Sequence, residues 1–89
     1  MIRKRIYFYG HVQGVGFRYR SEHAAYALGL TGWVRNEYDG SVTMEIQGDE
    51  SSIDRFIQIL YQDMYIDIER MESKYIEPDE DERSFSVRD

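Results

Sequence analysis

Three glycines fall at positions 10, 14 and 16, and the chain changes its periodicity across them. From Arg3 to Tyr9 polar and apolar residues roughly alternate, with Ile6 and Phe8 on one face and Tyr7 and Tyr9 on the other, the period of a strand. After Gly16, the residues Phe17, Ser21, Ala24, Ala25 and Leu28 recur at spacings of three and four, a narrow apolar or small stripe of helical period that Gly29 is placed to end. A strand therefore feeds a helix through a loop whose backbone needs either conformational freedom or close approach to something.

The remaining pattern completes a small α+β unit. Gly32 to Tyr38 and Ser41 to Gln47 flank Asp39-Gly40, a dipeptide suited to a tight hairpin turn, with Val42, Met44 and Ile46 sharing one face. Asp49, Ser51 and Ser52 offer cap oxygens for a second helix whose apolar face is Ile53, Phe56, Ile57, Leu60 and Tyr61. Ile66 and Ile68 alternate in one register, and Met71, Ser73 and Tyr75 continue in the other, which predicts a strand with a bulge near Glu69-Arg70. Arg83 to Arg88, with Phe85 and Val87 on one face, reads as a short last strand. The order is the ferredoxin-like split βαβ arrangement, βαββαβ plus a C-terminal strand. An antiparallel sheet is expected, with both helices on one face and the other partly open to solvent.

A chain of 89 residues fits one compact domain, 1–89, and having no cysteine it must be stabilised by its apolar core, without disulfides or thiolate metal sites. The basic N-terminus is not followed by an uninterrupted apolar stretch, so a signal peptide, a membrane span and a membrane partner are not expected, and a soluble cytoplasmic monomer is. The net charge of −6 opposes long-range attraction of nucleic acid, although a local basic pocket can still hold one small anion. Charge is uneven: Lys4, Arg5, Arg18, Arg20 and Arg35 lie in the first half, whereas Glu77 and Asp79 to Glu82 form an acidic run expected as a hydrated loop.

The stretch Gly10-His11-Val12-Gln13-Gly14-Val15-Gly16-Phe17-Arg18 combines a glycine-rich loop with a helix N-terminus, the physical recipe for an anion cradle. First-turn amides are unsatisfied, the helix dipole adds partial positive charge, and Arg18 sits where a guanidinium fork can grip phosphate oxygens. The bland alternative for Arg18 is a surface pair with Glu22 one turn on. Asn36, read from its neighbours alone, is a strand-end residue entering a turn.

The string resembles the acylphosphatase signature, in which glycine, any residue, Val-Gln-Gly-Val, any residue, and Phe-Arg occur in this order. Gly32-Trp33-Val34-Arg35-Asn36 resembles the family's second signature, Gly-any-Val-any-Asn. The resemblance is dense from Gly10 to Gly48 and thins beyond Leu60, where a Gly-Pro-containing turn common in the family is replaced by Tyr61-Gln62-Asp63-Met64-Tyr65. It implies hydrolysis of a small-molecule acyl phosphate to a carboxylate and inorganic phosphate, without metal or cofactor. Phosphate would be bound by Gln13, Gly14, Val15, Gly16, Phe17 and Arg18, with Arg18 and Asn36 catalytic and Asn36 placing the attacking water. His11 occupies a variable position of the signature and is expected to face solvent.

Two rival classes share this order of elements. RNA-recognition domains stack bases on an open sheet face, where Tyr7 and Tyr9 would lie, but the net charge and the absence of a basic aromatic motif in Ser41 to Gln47 count against that reading. A non-catalytic anion-binding module would keep the cradle without turnover.

Overall fold

The computed structural model describes residues 1–89. Its elements are β1 (Ile2–His11), α1 (Phe17–Ala27), β2 (Thr31–Asn36), β3 (Val42–Gly48), α2 (Glu50–Gln62), β4 (Asp67–Ile76) and β5 (Phe85–Arg88). The five strands form one sheet in the order β4-β1-β3-β2-β5. This is the split βαβ arrangement read from the sequence.

Alternation decides what each strand face does. Ile6 and Phe8 pair with Met44 and Val42, and Val34 pairs with Met44, so these side chains share one face. They are fully buried in a cluster with Phe17 and Ala25 of α1 and Ile53, Phe56 and Leu60 of α2. Tyr61, expected on the apolar face of α2, is instead 47% exposed. Eight residues beyond Ile53 the helix has turned about 80° past its starting direction, which carries that side chain off the stripe.

The bulge between β1 and β4 lies where the register change in the sequence places it. Tyr9 pairs with Arg70 and Gly10 with Ile68, which leaves Glu69 as the extra residue. Three other expectations need correction. The turn between β2 and β3 is a five-residue loop from 37 to 41, because Asn36 pairs directly with Val42 and only Gly40 of the Asp39-Gly40 pair has positive φ. The N-cap of α2 is Asp49, but no side-chain oxygen caps that helix, and the Asp49 carbonyl instead accepts from the Ile53 amide.

The third correction concerns β5, which pairs parallel with β2, so the sheet is mixed and not wholly antiparallel. The reason is geometric. The chain leaves β4 at the end where Ile76 lies beside Arg3, crosses to the opposite edge, and re-enters beside Gly32 running back the way β4 came. In crossing, the segment from 77 to 84 covers part of the face away from the helices. Glu82 forms a forked pair with Arg3, and Gln47 exchanges hydrogen bonds with the Asp79 backbone. The acidic run is thus hydrated at Glu77, Asp79, Glu80 and Asp81 but docked at Glu82.

Candidate active site

The loop after β1 folds so that its amides are left free. Gly14 and Gly16 adopt positive φ, 74° and 80°, and Gly16 is the N-cap of α1. The first helical bond runs from the Arg20 amide to the Gly16 carbonyl. None of the seven backbone N–H groups from Gln13 to Tyr19 donates a hydrogen bond within the chain. A run of unsatisfied donors at a helix N-terminus is a ready site for an anion.

The side chains of the loop hold it in place. Phe17 is 2% exposed and packs on Phe8 with ring centroids 5.0 Å apart, which fixes the start of α1 to the core. The Gln13 side-chain amide donates to the carbonyls of Glu37 and Ser41, at 2.7 and 2.8 Å. Gln13 and Phe17 can therefore reach a ligand only through their backbone. Arg18, the second residue of the helix, is partly exposed, and its Nη1 lies 3.6 Å from Asp89 Oδ1. The helical partner considered for it, Glu22, makes no ion pair.

Asn36 is brought to the cradle by strand parity. It lies directly opposite Val42, on the face shared with Val34 and covered by the helices. Val87 pairs on β5 with Val34, so Asp89, two residues on, falls next to Asn36 on the same face. Arg18, Asn36, Val87 and Asp89 line one cleft with the loop, of about 490 Å³. The Asn36 side chain makes no hydrogen bond, and its Oδ1 is buried without a partner. The turn role proposed for it from local sequence is performed by others: Asp39 accepts from the backbone and hydroxyl of Ser41, and Gln13 ties the turn to the loop. A buried acceptor left open within the chain costs the fold free energy.

The electrostatics beside the cleft are settled by pairing. The Glu37 carboxyl is held below the usual carboxylate range by its bond from Thr43 and then by Arg35. Asp39 is likewise lowered by the Ser41 hydroxyl and amide. His11 is exposed. No group of three His, Cys, Asp or Glu side chains is placed to hold a metal ion, and no helix is long and apolar enough to cross a membrane.

Two aromatics of the open sheet face, Tyr9 and Trp33, are already covered. Arg70 lies 4.1 Å above the Tyr9 ring, and Trp33, only 8% exposed, has Arg35 and Arg88 at 5.2 and 4.5 Å from its ring. Aromatic faces stacked on the chain's own cations are not free to stack bases.

Sequence reasoning did not find Tyr19, Val87 or Asp89 as cleft residues. Tyr19 follows from its place next to Arg18 in the first turn, but Val87 and Asp89 carry no local signal, because only the parallel pairing of β5 puts them there.

A sequence model of the acylphosphatase family matches residues 4–87. Acylphosphatases of Geobacillus kaustophilus and Clostridium perfringens are each 42% identical to this chain, over 91 and 88 residues, covering 98% of it and 94% and 99% of the relatives. The crystal structure of acylphosphatase from Bacillus subtilis superposes with a TM-score of 0.91 at 30% identity, covering 99% of both chains.

Proposed function

Because the chain belongs to the acylphosphatase family, an enzyme class that hydrolyses acyl phosphates, we propose that the phosphoryl group is held by Arg18 and the backbone amides from Gln13 to Arg18, and that Asn36 places the attacking water. The observation that carries this reading is the pairing of opposites in one cleft. A loop with seven free N–H groups, the Arg18 guanidinium and an unpartnered Asn36 oxygen meet at one cleft. The exposed Asp89 carboxylate lies 3.6 Å from the Arg18 guanidinium, which supports reading that group as a partner for an oxyanion.

The chemistry follows from what each group can do. The donors fix three phosphoryl oxygens and match the charge they carry as the transition state forms. Asn36 Oδ1 accepts one hydrogen bond from water and turns its lone pair toward phosphorus. An amide does not titrate near neutrality, so it orients the water without taking its proton. As the water oxygen bonds to phosphorus, the bond from phosphorus to the acyl oxygen breaks and the carboxylate departs with that electron pair. The proton passes to a phosphoryl oxygen. Since a carboxylate leaves readily, no general acid is required.

The test is release of phosphate from benzoyl phosphate by the purified protein in the presence of a chelator. Turnover that Arg18→Ala and Asn36→Ala each suppress is expected, and release no faster than the spontaneous rate in the unaltered protein overturns the reading.

A further inference from the structure

Arg20 is not part of either family signature, yet it is the side chain most closely wrapped around the cradle. Helical Cα–Cβ bonds tilt toward the N-terminus, so a residue at the fourth helical position reaches back over the loop before it. Arg20 does so: its Nη1 donates to the Val15 carbonyl at 3.1 Å, and its Nε lies 2.5 Å from Asp63 Oδ2. Asp63 ends α2, and its other oxygen, Oδ1, accepts from the Tyr65 amide at 2.8 Å. The Tyr65 ring lies 5.2 Å from the guanidinium carbon. The grip on the loop is tight enough that a Cβ on Gly16 would come within 2.2 Å of Arg20 Nη1.

A trans peptide sets its C=O and N–H in opposite directions. Pinning the Val15 carbonyl therefore fixes where the next N–H, that of Gly16, points. Gly14 and Gly16, both at positive φ, give the loop enough freedom that this peptide would otherwise rotate. We propose that Arg20, anchored by Asp63, is a positioning residue that holds the Val15 carbonyl on the outside of the loop and so aims the Gly16 N–H into the phosphate cradle. The inference rests on the cradle reading given above. It also gives a purpose to the segment where this chain departs from its family's pattern, since Asp63 and Tyr65 both lie in Tyr61 to Tyr65. An ordinary surface ion pair would contribute little and would have no reason to grip a loop carbonyl.

The experiment is a titration of inorganic phosphate followed by the backbone amide NMR shifts of residues 13–19, with steady-state kinetics on benzoyl phosphate alongside. It is run on the unaltered protein, Arg20→Ala, Arg20→Lys, Asp63→Asn, and Arg55→Ala as a control that removes an exposed charge from α2. Arg20→Ala is expected to weaken phosphate binding and raise KM by about tenfold, the scale of one misdirected donor to a charged ligand, with a smaller change in kcat. The Gly16 amide should shift even without phosphate. Arg20→Lys keeps the charge but lacks the planar fork that holds the Val15 carbonyl and Asp63 in fixed directions, so it restores part of the binding. Asp63→Asn falls between, and Arg55→Ala matches the unaltered protein. Should Arg20→Ala fail to fold, Arg20→Lys and Asp63→Asn carry the same comparison. Phosphate binding by Arg20→Ala or Asp63→Asn as tight as that of the Arg55→Ala control overturns the brace while leaving the cradle standing. Unaltered protein whose 13–19 amides ignore phosphate overturns the cradle, and the brace with it.

Discussion

The Gln13 side-chain amide donates to the Glu37 carbonyl at 2.7 Å, and by doing so ties the glycine-rich loop to the turn that follows Asn36. With its second bond to Ser41 at 2.8 Å, Gln13 adds a second donor to two carbonyls that already accept from the Gly40 and Glu37 amides of the turn. Gln13→Ala should cost about 1 kcal/mol in urea unfolding, since it removes two hydrogen bonds but leaves each carbonyl its backbone partner. Gln13→Glu should be worse and should also raise KM, because it sets a negative charge against two carbonyls beside the proposed anion site. A Gln13→Glu protein as stable as the unaltered one would mean that the tie is not formed.

Arg18 and Asn36 should separate kinetically. On the proposed reading, in which the guanidinium holds substrate in both ground and transition states, Arg18→Ala should raise KM and lower kcat in steady-state kinetics. Asn36→Ala lowers kcat by about 100-fold, on the scale of losing one positioned group, with little change in KM.

Asn36 should separate from Arg18 in stability as well. Its Oδ1 is buried without a partner, so the folded chain bears that cost for nothing within itself. Asn36→Ala should leave the melting temperature unchanged or raise it while activity collapses, the expected trade at a site kept for function. A clear drop in melting temperature would show that Asn36 supports the fold.

The glycine of the second signature answers to packing. Gly32 has φ 145°, and a Cβ there would sit 1.9 Å from the Glu45 backbone carbonyl oxygen in the neighbouring central strand. Backbone in a paired strand cannot give way as a side chain can. Gly32→Ala should therefore yield little folded protein by circular dichroism, whereas Gly14→Ala, with open space around its Cβ, should fold with a loss of about 1–2 kcal/mol for its left-handed backbone.

Acid should unfold the protein partly through Glu45. Burial pushes its carboxyl up, but bonds from Arg5 and then Arg3 outweigh that and hold it below the usual range. A lowered folded value stabilises above the unfolded glutamate pKa of about 4.3, and that stability is lost as pH falls through the folded value. Melting temperature should thus be flat from near neutrality down to about pH 5 and decline below about pH 4. Glu45→Gln should flatten part of that decline, the rest belonging to Glu37 and Asp39, and should be less stable at pH 7 because Arg3, 4% exposed, loses a partner.

Much of the fold was legible because it depends on local periodicity. Ile6 and Phe8 alternate, Ile53, Phe56 and Leu60 recur with the helical turn, and the register change after Ile68 marks the Glu69 bulge; each needs only neighbours a few residues away. Tyr61 misled because the stripe read from helical spacing was drawn one residue too wide, and a side chain about 80° round the helix leaves the buried face.

What the sequence by itself determined is a run of free donors: glycines that loosen the loop, a helix start that leaves amides unpaired, and Arg18 in the first turn, all within nine residues of one another. Only the tertiary structure decided what faces it. Asn36 arrives from β2 by strand parity, Val87 and Asp89 from β5 by a parallel pairing at the far edge, and Asp63 from the end of α2 to hold Arg20. Those contacts are set by which strand lies next to which and by the direction in which it runs. Both depend on long crossings of the chain, such as the one from 77 to 84, and a short-range pattern carries no record of where such a crossing ends.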